Sequence, residues 1–252
     1  MTVDYPTAGE ITGLRKLWKE AFGDSDVFLD GFFTHGFSPR RCRCITENGA
    51  VLAALYWFEA TCGESRFAYL YAIATAASHR GQGLFSALMA DTKEVLKELG
   101  FDGILLVPEN EALSRMYEKF GFESCTTVDT FSAVAGAGAA SFREIGAEEF
   151  ARLRRQLLPQ NAAIQEGETL SFLSSQYHFW AGADFLAVGQ IYDGKLVCME
   201  YLGNRMAAPG LLRALETAEG IFRTPGKQQP FAWFLPLHTG CVRPEYFGLA
   251  LD

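Results

Sequence analysis

The sequence predicts an α/β fold (α+β by some schemes): a mixed, mostly antiparallel sheet flanked by helices, present twice in tandem. Three observations carry that expectation. Between Glu10 and Ser132 the apolar residues switch between a helical period and strand-like runs, in the order two helices, three strands, helix, strand, helix, strand. The stretch Ala133 to Ser141, AVAGAGAAS, is small, uncharged and glycine-rich, as in a linker. Fragments of the first half then return, in the same order, in the second.

The elements follow along the chain. Glu10 to Phe22 places Ile11, Leu14, Leu17, Trp18, Ala21 and Phe22 on one helical stripe, and Asp26 to Phe33 reads as a second, short helix. Arg41 to Thr46 and Ala50 to Phe58 are strands joined at Glu47-Asn48-Gly49, a hairpin signal. A turn at Cys62-Gly63-Glu64 leads into a strand from Arg66 to Thr75. After a loop, Ala76 to Gly81, a long helix runs from Gln82 to Leu99 and stops at Gly100. Gly103 to Val107 is an apolar buried strand, Glu111 to Phe120 a helix stopped by Gly121, and Ser124 to Ser132 a final β-branched strand.

In the second half, Phe185 to Ile191 and Leu196 to Leu202 flank an Asp193-Gly194 turn as a further hairpin. Gly210 to Leu215 matches Gly83 to Leu88, Phe234-Leu235-Pro236 matches Leu106-Val107-Pro108, and Glu245 to Leu249 echoes Tyr117 to Phe122. The expected organisation is a first domain over 1–132, a linker over 133–141, and a degenerate copy over 142–252 that lacks one strand.

Composition narrows the function classes. The chain has 252 residues, 49% of them apolar, which is enough for packed cores and argues against disorder. No apolar run approaches the roughly 20 residues of a membrane-spanning helix, and Met1 to Glu10 has no basic leader, so a cytoplasmic location is expected. Net charge is −8, and the excess of acids sits mainly in residues 1–132, with 18 Asp and Glu against 12 Lys and Arg. Such a surface repels a phosphate backbone, so nucleic acid is not an expected partner. An acidic cleft would draw in a cationic amine, although the same surplus also serves solubility. The cysteines 42, 44, 62, 125, 198 and 241 make no metal spacing and read as reduced, buried thiols; Cys42 and Cys44 should share a strand face. His35, His79, His178 and His238 do not cluster, so no metal is expected.

The sharpest chemical signal is His79-Arg80-Gly81-Gln82-Gly83-Leu84, lying between the apolar strand Tyr69 to Thr75 and an amphipathic helix. A glycine-rich turn that opens a helix presents unpaired N–H groups at the positive end of the helix dipole, an anion site that suits a pyrophosphate. No Gly-Lys-Ser/Thr follows, which excludes a Walker loop, and the spacing is not that of a dinucleotide fold. Taken alone, the turn also fits a tight strand-to-helix connection without a ligand. Its context adds a second motif. Tyr117 lies 37 residues after Arg80, within Asn110-(x6)-Tyr117-Glu118-Lys119-Phe120-Gly121-Phe122.

Together these motifs resemble the GNAT superfamily of N-acetyltransferases over about residues 8 to 132, with the second half a degenerate GNAT-like copy. The resemblance implies acetyl-CoA as acyl donor. It also implies that Ile73, Ala74 and Thr75 bond the pantetheine arm through their backbone. The amides of Gln82, Gly83, Leu84 and Phe85 would cradle the pyrophosphate, with Arg80, Gly81 and Ser86 beside them. Asn110 would stand at the end of the next strand, where the sheet splays to admit the cofactor. Tyr117 matches the usual general acid; the alternative for it is an aromatic packing beside Phe120 and Phe122. Two positions depart from the family pattern: Phe85 stands where Gly or Ala is usual, and Ala77 where proline is frequent.

The implied chemistry is direct attack of a primary amine on the thioester, with a strand amide near Ile73 facing the developing oxyanion. Glu59 and Glu109 are candidate bases. Tyr69 and Tyr71 either line the acceptor cleft or belong to the core, and the same two readings apply to His178-Phe179-Trp180, Trp233 and Phe234. A narrower resemblance, to the enhanced-intracellular-survival acetyltransferases, covers the two copies without the third, sterol-carrier-like domain of that family. There the terminal carboxylate is the base; here the last residue is Asp252, straight after the second copy, and without the third domain that role is not carried over to it. The expected partners are a small-molecule or peptide amine and, as an open alternative, a second chain in a homodimer. The competing readings are a non-catalytic acyl-CoA-binding or regulatory protein, and a scaffold in which neither copy binds a cofactor.

Overall fold

The computed structural model describes residues 2–136 and 141–251. Met1, Asp252 and residues 137–140 of the expected linker lie outside the described residues. The chain forms two compact units: Met1–Leu106 with Leu235–Cys241, and Val107–Phe234 with Val242–Asp252.

The first unit contains β1 (Val3–Asp4), α1 (Ile11–Phe22), α2 (Asp26–Gly31), β2 (Cys42–Glu47), β3 (Ala50–Cys62), β4 (Ser65–Thr75), α3 (Leu84–Glu98) and β5 (Gly103–Leu106). Strands β1 to β4 pair antiparallel in order, and β5 adds to β4 in parallel after the α3 crossover. Helix α1 buries the stripe Leu14, Leu17 and Trp18 that its period predicts. Trp18 packs at 4.5 Å from Phe32, 5.2 Å from Tyr56 and 5.5 Å from Tyr71, ring centre to ring centre. Tyr69 is buried, as its core reading has it, while Tyr71 packs in this aromatic cluster and stays half-buried. Cys42 and Cys44 are both buried, and burial pushes the Cys42 thiol well up and the Cys44 thiol up to about 12. Neither carries thiolate at neutral pH.

The second unit contains α4 (Glu111–Glu118), β6 (Glu123–Ser124), β7 (Thr127–Val134), β8 (Phe142–Glu144), α5 (Ala147–Leu157), β9 (Ile164–Gln165), α6 (Glu168–Ser174), β10 (His178–Gly182), β11 (Phe185–Tyr192), β12 (Lys195–Gly203), α7 (Ala208–Ala214), β13 (Glu219–Pro225) and β14 (Gln229–Pro230). Its main sheet runs β14-β7-β13-β12-β11-β10-β8. The last strand, β15 (Trp233–Pro236), is divided: Leu235 and Pro236 belong to the first unit, where β15 follows β5 in the sheet. Leu237 continues that contact by donating its N–H to the Asp102 carbonyl at 2.8 Å.

The tandem repeat is visible in topology. In both units an antiparallel pair is followed by a helix and then a strand parallel to the second member: β3-β4-α3-β5 and β11-β12-α7-β13. Both second members carry one extra residue against the first. On β4 the register slips between Ala54 and Tyr56, with Ala72 at φ 48°. On β12 it slips opposite Val188 and Gly189. In both, the parallel pairing ends on the near side of the bulge, at Tyr69 and at Cys198.

Several sequence-based expectations change. The final strand of the first half, β7, does not pair with β5; it pairs antiparallel with β13, from Val128↔Pro225 to Val134↔Glu219. The compact units therefore cut across the division expected at 133–141. The strand after the copy's helix, the counterpart of β5, is β13 and not Phe234-Leu235-Pro236; β10, β11 and β12 pair antiparallel in order as β2, β3 and β4 do, so the copy does not lack the expected strand. Gly210 lies inside α7 rather than ahead of it, and Glu245 to Leu249 is not helical, unlike its supposed counterpart in α4. Phe179, Trp180, Trp233 and Phe234 are all buried, with Phe150 and Phe179 stacked at 4.4 Å; packing explains them.

Candidate active site

Strand β4 carries the first part of the candidate site. Its regular parallel pairing with β5 covers only Phe67, Ala68 and Tyr69. From Leu70 to Thr75 no strand pairs along that side among the described residues, and Tyr71, Ala72, Ile73 and Thr75 are half-buried. The bulge at Ala72 changes the direction of the backbone N–H and C=O groups just ahead of Ile73, Ala74 and Thr75.

The chain then folds into a short 3₁₀ turn, Ala77–His79, and the glycine-rich turn. Several bonds fix this passage. Glu20, from the end of α1, accepts the Ala77 N–H at 2.7 Å. Arg80 Nε donates to the Thr75 carbonyl at 3.3 Å, and Gln82 Nε2 to the Ser78 carbonyl at 3.3 Å. The Ser78 hydroxyl lies 2.8 Å from His79 Nδ1.

Gly81 and Gly83 both take left-handed backbone conformations, φ 77° and 80°, and a Cβ at either would meet open space within 4 Å. Glycine is needed there for conformation, and the empty volume beside it lets a ligand approach the backbone. Gly83 is the N-cap of α3 and no side chain caps the helix. The first bond of this helix runs from the Ala87 N–H to the Gly83 carbonyl, at 3.0 Å. The N–H groups of Leu84, Phe85 and Ser86 precede it, at the positive end of a 15-residue helix. Arg43 ties this helix to β2 by two bonds to Asp91, at 2.7 and 3.1 Å. A cleft of about 260 Å³ opens here, lined by Thr75, His79, Arg80, Gly81, Gly83, Leu84, Phe85 and Ser86. Donors without side-chain caps, a guanidinium and open space form a cradle that fits a pyrophosphate.

The structure thus brings Thr75 together with Arg80, Gly81, Gly83, Leu84, Phe85 and Ser86, and Gln82 closes the same turn. Phe85, in the first turn of α3, is among the residues lining the cleft. The other two expected residues belong to the second unit. Asn110 is not at a strand end, since β5 stops at Leu106; it is the N-cap of α4, and its Oδ1 accepts the Leu113 N–H at 3.0 Å. Tyr117 is buried in the last turn of α4, 5.7 Å from Phe122 ring to ring, and burial pushes its phenol up to about 12. Glu59 is a surface carboxylate paired with Arg66 at 3.1 Å, and Glu109 is exposed. Glu20 escaped the sequence reading because nothing in the spacing of a helix end announces a contact 57 residues away.

Among the described residues, the second copy shows no equivalent cradle. Its helix α7 is preceded by the 3₁₀ turn Arg205–Ala207, begins from Ala207 in a helical conformation, and has Pro209, which lacks an N–H, in its first turn.

Residues 2–125 match the family described as Acetyltransferase (GNAT) domain. The first half of the chain belongs to the GNAT acetyltransferase family. Solved structures extend the likeness in fold through both halves. A GCN5-related N-acetyltransferase from Kribbella flavida aligns with TM-score 0.68 at 16% identity, over 92% of this chain and 70% of its own. Eis1 from Mycobacterium abscessus aligns with TM-score 0.68 at 11% identity, over 94% and 74%. A tandem GNAT protein from the clavulanic acid biosynthesis pathway aligns with TM-score 0.59 at 12% identity, over 94% and 99%. No curated protein matches by sequence. Among the described residues, no helix is long and apolar enough to cross a membrane.

Proposed function

We propose that the chain is an N-acetyltransferase that moves an acetyl group from acetyl-CoA to a primary amine of a small molecule or peptide by direct attack. The observation that supports it most is the turn from Arg80 to Ser86, where two left-handed glycines open a helix onto a cleft rich in N–H donors. In this reading the β4 backbone at Ile73, Ala74 and Thr75 bonds the pantetheine arm. Arg80, Gly81, Gln82, Gly83, Leu84, Phe85 and Ser86 hold the pyrophosphate, and Asn110 contributes through its amide NH₂. Bound acetyl-CoA supplies an activated acyl thioester. Tyr117 gives its proton to the departing sulfur; with its pKa raised to about 12 the phenol remains protonated at neutral pH and acts only as an acid.

Calorimetry with acetyl-CoA and with CoA, on the natural chain and on Gly83→Trp, tests the reading. Micromolar binding that weakens at least tenfold in a folded Gly83→Trp protein is the expected result, because the indole fills the cradle from a strained backbone position. A folded natural protein that binds neither ligand overturns it. Binding without turnover on any amine would favour the acyl-CoA-binding alternative, for which Phe85 in the cleft is the supporting observation.

A further inference from the structure

Among the described residues, one face of the second unit's main sheet is left open. Helix α7 covers the other face, where Leu196 and Phe222 lie in the core and Ala133 packs at its margin. Alternation along each strand turns the neighbours of these residues outward. Strand register then sets them in rows across β11, β12, β13 and β7. In the first row Tyr192 pairs with Lys195, Lys195 with Glu219, and Glu219 with Val134. In the next, Gln190 pairs with Val197, Val197 with Ile221, and Ile221 with Ser132. The apolar members are uncovered: Tyr192, Val134, Ile221 and Val197 are 72%, 67%, 51% and 46% exposed. Contiguous apolar exposure on a sheet face marks a contact surface.

The order within the rows selects the occupant, because it is complementary to itself. Read across the strands, the first row is aromatic, basic, acidic, aliphatic, and the second is polar, aliphatic, aliphatic, polar. A twofold axis along the strands, midway between β12 and β13, exchanges β12 with β13 and β11 with β7 and keeps each row in place. Two copies facing each other about this axis set Lys195 of each against Glu219 of the other. Val197 then meets Ile221, Tyr192 meets Val134, and Gln190 meets Ser132. No like charges meet, and the apolar centre is flanked by polar pairs, as in isologous interfaces. Within one chain Lys195 and Glu219 are already 2.6 Å apart, yet their side chains stay 59% and 49% exposed, so both can reach a second partner. A twofold across the strands along the first row would instead oppose lysine to lysine and glutamate to glutamate. The favoured axis also keeps the two sheets in the aligned arrangement of face-to-face packing, about 10 Å apart.

We propose that this open face binds a second copy of the chain about a twofold axis, with Val197 and Ile221 at the centre and two crossed Lys195–Glu219 pairs beside them. Two rows on four strands make a patch at the low end of specific interfaces, below ~1,200 Å² in total. The dimer is therefore reversible and forms at micromolar to submillimolar concentration. The inference does not depend on the acyl-transfer reading.

Sedimentation equilibrium of the full-length chain tests this, with Lys195→Glu and Glu219→Lys measured alone and as an equimolar mixture. The natural chain is expected to pass from monomer to dimer as its concentration rises. Each single variant should dimerise at least tenfold more weakly, since its own dimer sets like charges against each other. The mixture should recover the dimer, because one chain then presents two acids and the other two bases in the first row. A local structural effect of either substitution would not be complemented in this way. Ile221→Asp, at an exposed position in the centre of the patch, should leave a folded monomer. The proposal is overturned by a natural chain that stays monomeric across that range, by a mixture no more dimeric than its components, or by a folded Ile221→Asp protein that dimerises like the natural chain.

Discussion

The buried ion pair of the second unit allows a stability prediction with a definite size. Arg154 on α5 reaches Glu200 on β12 by two bonds, Nε to Oε2 at 2.6 Å and Nη2 to Oε1 at 2.9 Å. The two side chains are 2% and 1% exposed. The Tyr246 hydroxyl donates to the same carboxylate at 3.0 Å, and burial, followed by the Glu200 charge, pushes that phenol well up, so it stays a donor. Replacing Arg154 with Met leaves the Glu200 carboxylate in the interior with, among the described residues, the phenol to meet it. Removal of one partner from such a pair costs about 3–5 kcal/mol, whereas replacing both partners with apolar side chains of similar volume is close to neutral. For a chain of this size that corresponds to a drop of roughly 6–20 °C in Tm for Arg154→Met. The double variant Arg154→Met, Glu200→Met should recover most of the loss. Thermal and urea unfolding followed by circular dichroism measure both. A single variant that costs less than about 1 kcal/mol, or a double variant that costs the sum of the singles, refutes the reasoning.

Three further outcomes follow from the same structure. Tyr117→Phe should lower kcat while leaving the affinity for acetyl-CoA unchanged. Because burial raises the Tyr117 pKa to about 12, its proton is retained below pH 10, so under the proposed function the natural chain should show no loss of rate from this group up to that pH. The sign for stability is the same: a raised pKa favours folding at neutral pH, and this contribution fades as pH rises from about 10 toward about 12, a decline the Phe variant should lack, read by unfolding at pH 7 and pH 11. Glu20→Ala removes the acceptor of the Ala77 N–H and should raise the KM for acetyl-CoA roughly threefold to tenfold with kcat unchanged. A chain ending at Gly136 loses Leu235–Cys241 and leaves one side of β5 bare; light scattering should show it aggregating where the full chain stays monodisperse.

Local order was largely legible. The period of Leu14, Leu17 and Trp18, the Asn48-Gly49 turn and the paired glycines at 81 and 83 each encode their structure within a few residues. What escaped reading was set by partners far along the chain. Nothing in TVDTFSAV says whether β7 will pair with β5 or with a strand about ninety residues later. The strand β13, EGIFRTP, alternates only weakly, whereas Phe234-Leu235-Pro236 repeats Leu106-Val107-Pro108 and so takes its place in the sequence match. Among the site residues, those on the β4–α3 turn lie together because they are neighbours in sequence. Asn110 was read as a cofactor contact, yet its oxygen is used as an ordinary helix cap, a role that Asn ahead of any helix can fill.

The divided strand β15 bears on how the protein is made. The sheet of the first unit reaches its last neighbour only at Leu235, some 130 residues after β5 leaves the ribosome. During that interval the emerging amino-terminal sheet has an open edge. Pairings so distant in sequence are slow to form, because the loop must close before the contacts reward it. Translation of this chain therefore opens a window, lasting until Leu235 and Pro236 have emerged, in which the half that carries the glycine turn is most dependent on chaperones and most exposed to mispairing with another nascent copy.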